Sequence, residues 1–512
     1  MTLPILIISY FLLPLCAMFP PVKNILQRLE RLPMLIALAG LVVGIVLADC
    51  LRPDVWVVAV GFAVMCAVAY YRRWALVGVV LLAGALSLSL RREVEQLPEG
   101  VQLMQLEIIS VAHDLPDRLD YNARIVAIGQ RRSAVRVRVV APAFLELQAG
   151  ERLVVRTKVR GYDEQTSYGR YMQRVGVVGQ IYLNRESILQ RQMGAESLGV
   201  GLRQRAAQHI GRLGLSADVE SVVAAISVGE RSTITATLRK SYIRAGGAHL
   251  LAVSGLHVGF LFVLVNFLLL PVVALRNGQL WRSVVATLVI WLYASMAGFS
   301  PSVVRAAVMF TLVQLSLAVG SRRSHLNTLA FAASMMLIWD ARMVYDAGFQ
   351  LSVLAVAAIV EWGVPLTRWL VPPLQGWEGC SWWRRVVRGA WRWSISTIVV
   401  SFVASVVTMP LSSYLFGEFS LWSVVVGGVM VVLCAVTVGV ALLWVIAPVG
   451  FVSPVVAWVL ECSAGAMNAL AEWCAGSNVM AHQISISLIS CWMIYSAFML
   501  FTLALWSLPK RE

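Results

Sequence analysis

The chain has 512 residues, of which 59% are hydrophobic and 13% charged, with a mean hydropathy of +0.77. A soluble globular protein carries about a quarter charged residues, so a soluble enzyme or binding module is excluded; recurrent apolar runs of about 20 residues make a polytopic helical membrane protein. The formal net charge of +15 has two possible sources, the Lys and Arg of cytoplasmic loops or the path of a polyanion, and the placement of the charges must separate them.

The amino-terminal block, 1–92, offers three to four spans, with apolar segments at about 3–22, 33–51, 54–71 and 74–90. Its first segment opens without a basic region and lacks a small-residue cleavage site, which predicts a transmembrane helix or an over-extended start rather than a cleaved signal peptide. Lys23, Arg28 and Arg31, then Arg72 and Arg73, mark the loops expected in the cytoplasm. Residues 93–195 change texture: short runs at 103–111, 121–128, 134–140, 151–159 and 175–183 alternate apolar and polar residues between turn signals. Five such runs predict a small, extracytoplasmic Greek-key barrel of OB-like type. Between 121 and 160, nine bases face only Glu146 and Glu151. Arg136 and Arg138, and likewise Arg156, Lys158 and Arg160, recur at period two, so each set is expected on one face of its strand. A solvated sheet face is the ordinary reading, and a track for single-stranded polyanions the sharper one, with Tyr121, Tyr162, Tyr168 and Tyr171 as possible stacking surfaces.

Residues 196–247 are expected to hold amphipathic interfacial or re-entrant helices, too short to span. From 248 to 512, about nine spans follow: 249–275, 281–299, 302–320, 326–340, 349–371, 394–416, 421–447, 449–476 and 486–508. Their loops alternate in charge, with Arg276, Arg282, Arg322, Arg323, Arg384, Arg385, Arg388, Arg392, Lys510 and Arg511 on one side, which places the barrel outside and the carboxy terminus in the cytoplasm. Both sources of positive charge therefore contribute. Eight cysteines, Cys16, Cys50, Cys66, Cys380, Cys434, Cys462, Cys474 and Cys491, fall mostly in apolar runs without CxxC spacing, which suits buried free thiols and neither a metal site nor a disulfide framework.

Polar residues inside a membrane are expensive and point to a cavity or a bundle interior. Arg305 in PSVVRAAVM either snorkels to the interface or faces a pore for phosphates. Asp346 and Gln350 share a helical face and are expected either to pair with Arg305 or to cap the helix. Asn266, Gln314, Glu361, Glu461 and Glu472 are further interruptions. The most unusual stretch is 244–259, RAGGAHLLAVSGLHVG. It holds His249 and His257, a Ser254–His257 pair three apart, and Gly255 and Gly259 four apart, a small-residue groove for a neighbouring helix.

The run from Ala248 to Gly259 resembles the signature of the ComEC-type competence proteins, the inner-membrane channels for DNA in natural transformation. Gly229-Glu230-Arg231, Ser300-Pro301-Ser302-Val303-Val304-Arg305-Ala306, Gly348-Phe349-Gln350-Leu351-Ser352, and Pro410 followed by Phe416-Gly417-Glu418-Phe419-Ser420 agree in order, and the β-rich insert resembles the family's OB-like domain. The resemblance implies transport of single-stranded DNA into the cytosol across the inner membrane, by a protein with no cofactor or metal and no catalytic residue. His249, Ser254, His257, Arg305 and Gln350 would line or shape the path, and Arg136, Arg138, Arg156, Lys158 and Arg160 would hold DNA on the barrel. It also implies a lipid bilayer around the chain, an extracytoplasmic ComEA-like DNA receptor, cytosolic DNA-processing proteins, and a separate nuclease and energy source. No P-loop occurs in the sequence, and no HxHxDH cluster, so this is expected to be a short form without the metallo-β-lactamase-like domain of longer members. Gly427-Gly428 and Ala341 depart from the family pattern.

Two other classes remain open. A secondary transporter of a small solute would suit the many spans but gives a basic barrel no role, and should show inverted-repeat symmetry. An intramembrane hydrolase using Ser254 with His257 or His249 would need a third, orienting group and an oxyanion site.

Overall fold

Strict period-two alternation in the insert becomes a closed barrel. In the computed structural model, which describes residues 24, 27–71, 75–90, 100–115, 118–129, 131–142, 144–145, 147, 150–163, 166–192, 198–231, 233–251, 253–318, 324–371, 382–416, 422–477 and 486–507, seven strands form one sheet. They are β1 (Val101–Leu115), β2 (Arg118–Ile128), β3 (Arg131–Arg132), β4 (Arg136–Pro142), β5 (Arg152–Gly161), β6 (Val177–Tyr182) and β7 (Ile188–Gln192). The order β1-β2-β4-β6-β5 closes by pairing β5 back to β1, and only β4 and β6 run parallel. Closure leaves no open edge among these five strands, the OB-like solution for a small sheet. Alternate residues, among them Leu106, Ile125, Val139, Leu153 and Ile181, meet in a core that excludes water. Tyr121 belongs to that core: it is 1% exposed, and its hydroxyl accepts from the Leu147 amide at 3.0 Å. It is therefore a strut inside the barrel, not the stacking surface its neighbours suggested.

The sequence pattern did not resolve α4 (Ser167–Val175), which separates β5 from β6. Its ends are marked: the Thr166 hydroxyl accepts from the Gly169 amide, and Gly176 stops the helix at φ 86°. That left-handed turn favours glycine.

Before the barrel stand α1 (Pro33–Leu51), α2 (Val55–Tyr71) and α3 (Leu76–Ser89). Gly44 and Gly84 let α1 and α3 touch backbone to backbone, since a Cβ at either would strike the carbonyl of Leu81 or Leu41. The predicted span at 3–22 and the arginines at 72–73, 91–92 and 322–323 lie outside the described residues.

After the barrel come α5 (Leu198–Gly211), α6 (Ala217–Val228), α7 (Ala236–Arg244) and α8 (Ala248–Leu251). Helix α6 carries Asp218 and Glu220 in its first turn, and every residue from 221 to 228 is buried, because it is enclosed by the helices that follow. Those helices are α9 (Gly255–Leu268), α10 (Gly278–Met296), α11 (Pro301–Ala318), α12 (His325–Trp339), α13 (Ala347–Ala358), α14 (Val364–Leu370), α15 (Trp382–Phe416), α16 (Gly427–Ile446), α17 (Ser453–Gly476) and α18 (Leu488–Ser507). One core joins α5, α6, α7, α9, α10, α11, α16 and α17; a second packs α1 and α3 on α12. A π-helical turn, Ile359–Gly363, connects α13 to α14 as one rod. Among the described residues, six helices are long and apolar enough to cross a membrane: Pro33–Leu51, Ala347–Leu370, Trp383–Leu415, Gly427–Ile446, Gly450–Gly476 and Leu488–Ser507. The protein is a multi-pass helical membrane protein carrying an inserted barrel.

Candidate functional site

Ser254 and His257 do not face each other along a helix. Ser254 is the residue before α9, in extended conformation, and its hydroxyl accepts from the Leu256 amide at 3.3 Å. The Ser254 amide in turn donates to His257 Nδ1 at 2.8 Å. This is a capping box with histidine in the third helical position, where Glu or Gln is usual. Because Nδ1 must accept from that fixed amide, the neutral ring carries its proton on Nε2, which lies 3.2 Å from Cys434 Sγ on α16. The ring is fully buried. The Ser254 hydroxyl is 3.3 Å from Nδ1, but the single lone pair there is already engaged, so the ring is not placed to take the serine's proton. His249, on α8, is exposed.

Gly255 and Gly259 turn the start of α9 toward α11. A Cβ on Gly255 would lie 3.3 Å from the Ala306 methyl, and one on Gly259 would lie 3.4 Å from the Phe310 ring. One turn further in, Phe262 stacks on Phe310 with centroids 4.6 Å apart. One more turn along each helix brings Asn266 and Gln314, 7% and 1% exposed. Ser283 of α10 donates to Gln314 Oε1 at 3.3 Å, while Asn266 Oδ1 and Gln314 Nε2 are buried without a partner among the described residues. Sequence reasoning marked Asn266 and Gln314 separately; the shared four-residue step beyond Phe262 and Phe310 was the signal that would have joined them. An orphaned polar atom in a membrane interior calls for water or a ligand.

Arg305 does not snorkel. It is 7% exposed, and its Nη1 lies 3.4 Å from Asp346 Oδ1, the same oxygen that caps α13 through the Phe349 amide at 2.7 Å. Gly348 makes room for the pair, since a Cβ there would sit 2.9 Å from Arg305 Nη2. Gln350 points elsewhere: its Nε2 donates to the Val344 carbonyl at 2.7 Å. Sequence spacing anticipated the partner of Arg305 but not that of Gln350.

The five basic barrel residues separate into two groups. Arg156, Lys158 and Arg160 on β5 are exposed, with Arg160 5.2 Å from the Tyr182 ring centroid. Arg138 lies between Asn122 and Gln180 on the outer face but is 9% exposed. Arg136 reaches down to Asp340, 3.8 Å away. That contact belongs to a polar seam between barrel and bundle. Arg174 of α4 pairs with Asp49 of α1 at 3.2 Å and lies 5.2 Å from the Tyr345 ring centroid. Burial, then the Asp49 carboxylate, push the Tyr345 phenol up, which keeps it protonated and hydrogen-bonded to Asp49. Arg342 lies over Gly176, where a Cβ would strike it. The 3-10 turn Ala341–Tyr345 is thus held by the barrel above and continues into Asp346, the partner of Arg305. None of these long-range pairings was visible in the sequence. Among the described residues, no three His, Cys, Asp or Glu side chains gather as a metal site.

Residues 226–511, which hold His257, Arg305 and Gln314, match the family model described as Competence protein. The chain is similar to ComE operon protein 3 of Bacillus subtilis (strain 168), being 26% identical over 217 residues, 42% of this chain and 25% of that relative. The match thus spans a quarter of the relative's length. No solved structure matches the chain.

Proposed function

Since the chain belongs to the competence protein family, whose model covers more than half of it at 226–511, we propose that it conducts single-stranded DNA from outside the inner membrane into the cytosol during natural transformation. The observation that carries this reading is the union of that matched bundle with a closed basic barrel docked on one end of it. A small-solute transporter has no use for such a barrel. An anionic strand has one: exposed Arg156, Lys158 and Arg160 engage phosphates and release counterions, so binding weakens with salt. The positive-inside pattern supports a barrel on the outer side, with Arg276, Arg282 and the start of α15 in the cytosol.

From the barrel the strand passes the mouth formed by His249 and Ser254, then the Arg305–Asp346 pair with Gln350, and crosses beside Asn266 and Gln314. His257 shapes this mouth by fixing Ser254 and the start of α9. The protein acts as a conduit rather than a catalyst, and needs an outer DNA receptor, a nuclease, an energy source and cytosolic DNA-processing proteins supplied separately. A strain lacking the protein is expected to bind labelled DNA at its surface and to leave it outside the cytosol. Normal cytosolic delivery in that strain sinks the proposal.

A further inference from the structure

Helix α15 has 35 residues, a rod of about 52 Å, whereas a membrane's hydrocarbon core is about 30 Å thick. Its excess is at one end. The Arg392 guanidinium donates to the Val371 carbonyl at 3.4 Å, which sets the end of α14 level with residue 392. Residues 382–391 therefore extend roughly 15 Å past their antiparallel neighbour. This is the end away from the barrel, because α13 begins at Asp346 beside the docking seam. Every residue from Trp383 to Trp391 is exposed.

The arm has an unusual composition. Arg384, Arg388 and Arg392 recur every four residues with Arg385 beside them, which gives one cationic face. Trp391, 67% exposed, stands at the edge of that face, and the Arg384 guanidinium lies 5.5 Å from the Trp383 ring centroid. Between residues 362 and 417 there are five bases, Arg368 and these four, against one acid, Glu378. The positive-inside rule accounts for the arginines and the aromatic belt for indoles at headgroup level, but neither asks for both to continue on a helix about 15 Å past its neighbour. Nor does an arm that continues a spanning helix outward lie down on lipid. Indole faces along a cationic rod suit a single strand, whose bases stack while its phosphates meet guanidinium groups.

We infer that residues 382–392 are a binding site for single-stranded polynucleotide, which receives the strand as it emerges on the side opposite the barrel. This rests on the transport reading, and one experiment separates the two. The full chain is placed in phosphatidylcholine nanodiscs carrying either Trp391→p-benzoylphenylalanine or, on the barrel, Tyr182→p-benzoylphenylalanine, then irradiated with labelled oligo-dT. Adducts at both positions are expected, with none from Phe402→p-benzoylphenylalanine in the lipid-facing part of α15. In the Trp391 variant, adding R384Q, R385Q and R388Q should cut arm crosslinking about tenfold at low salt. An adduct at 182 without one at 391 overturns the arm alone. Absence at both overturns the transport reading with it. An adduct at 391 formed only with phospholipid, once phosphatidylglycerol replaces phosphatidylcholine, assigns the arm to the membrane and also overturns the inference.

Discussion

Replacing His257 tests whether the motif at the mouth of the bundle is a cap or a titrating group. His257→Ala removes the acceptor of the Ser254 amide, a loss of about 1–2 kcal/mol for an abandoned cap. It also empties the volume of an imidazole in a fully buried position, at about 2 kcal/mol more for an enclosed large-to-small change. His257→Gln keeps an acceptor at the third helical position, as in the common Ser-x-x-Gln capping box, and fills much of that space, so its cost should be about 1 kcal/mol. The two variants should thus differ by about 2 kcal/mol, read as a clearly higher unfolding temperature for H257Q than for H257A in purified, detergent-solubilised protein. DNA delivery by H257Q should stay near that of the parent when membrane levels are matched. If H257Q unfolds as early as H257A, the capping account fails. If H257Q is stable but delivers no DNA, the imidazole has a role that a cap does not provide.

The other expectations concern the barrel, the seam and the buried pair. R156Q with K158Q should weaken oligo-dT binding and flatten its dependence on salt by about 0.7 for each phosphate left without its cation, measured by titration at several salt concentrations; an unchanged slope removes β5 as the phosphate face. Arg174→Ala breaks the Asp49 pair and the Tyr345 stacking, but the side chain is 53% exposed, so the cost should be about 1 kcal/mol. Its signature is faster hydrogen exchange in 341–345, and unchanged protection there would remove the seam as an anchor. Gly348→Ala forces a methyl against Arg305 and Asp346 and should destabilise by about 1–3 kcal/mol; a neutral result in thermal unfolding would mean that the pair yields freely.

The sequence carried the barrel because alternation at period two is a local property that closure only bends. It carried the helices because a run of apolar residues long enough for a membrane has few other fates. Helix α4 escaped, although Thr166 and Gly176 bracket it, because it is only nine residues long and lies between two strands of the same barrel. Ser254 and His257 were legible as a pair but not as a cap: with histidine in place of Glu or Gln, the spacing also fits a helical face. Asp346 beside Arg305 could be anticipated from composition. Asp49, Arg174 and Tyr345 could not, since each is an ordinary residue in its own segment, and only the assembled chain brings them together.

The enclosure of α6 bears on how the protein is made. Its first turn is held by a residue from far downstream: Glu461 on α17 accepts from the Ser216 hydroxyl at 2.6 Å and from the Ser216 amide at 3.3 Å. Its sides are covered by α16 and α17. During synthesis α6 therefore leaves the ribosome long before the helices that surround it, too short to cross a bilayer and too apolar to rest in water. The centre of the bundle closes only when the carboxy-terminal helices arrive, so an interrupted translation product keeps the buried face of this helix uncovered.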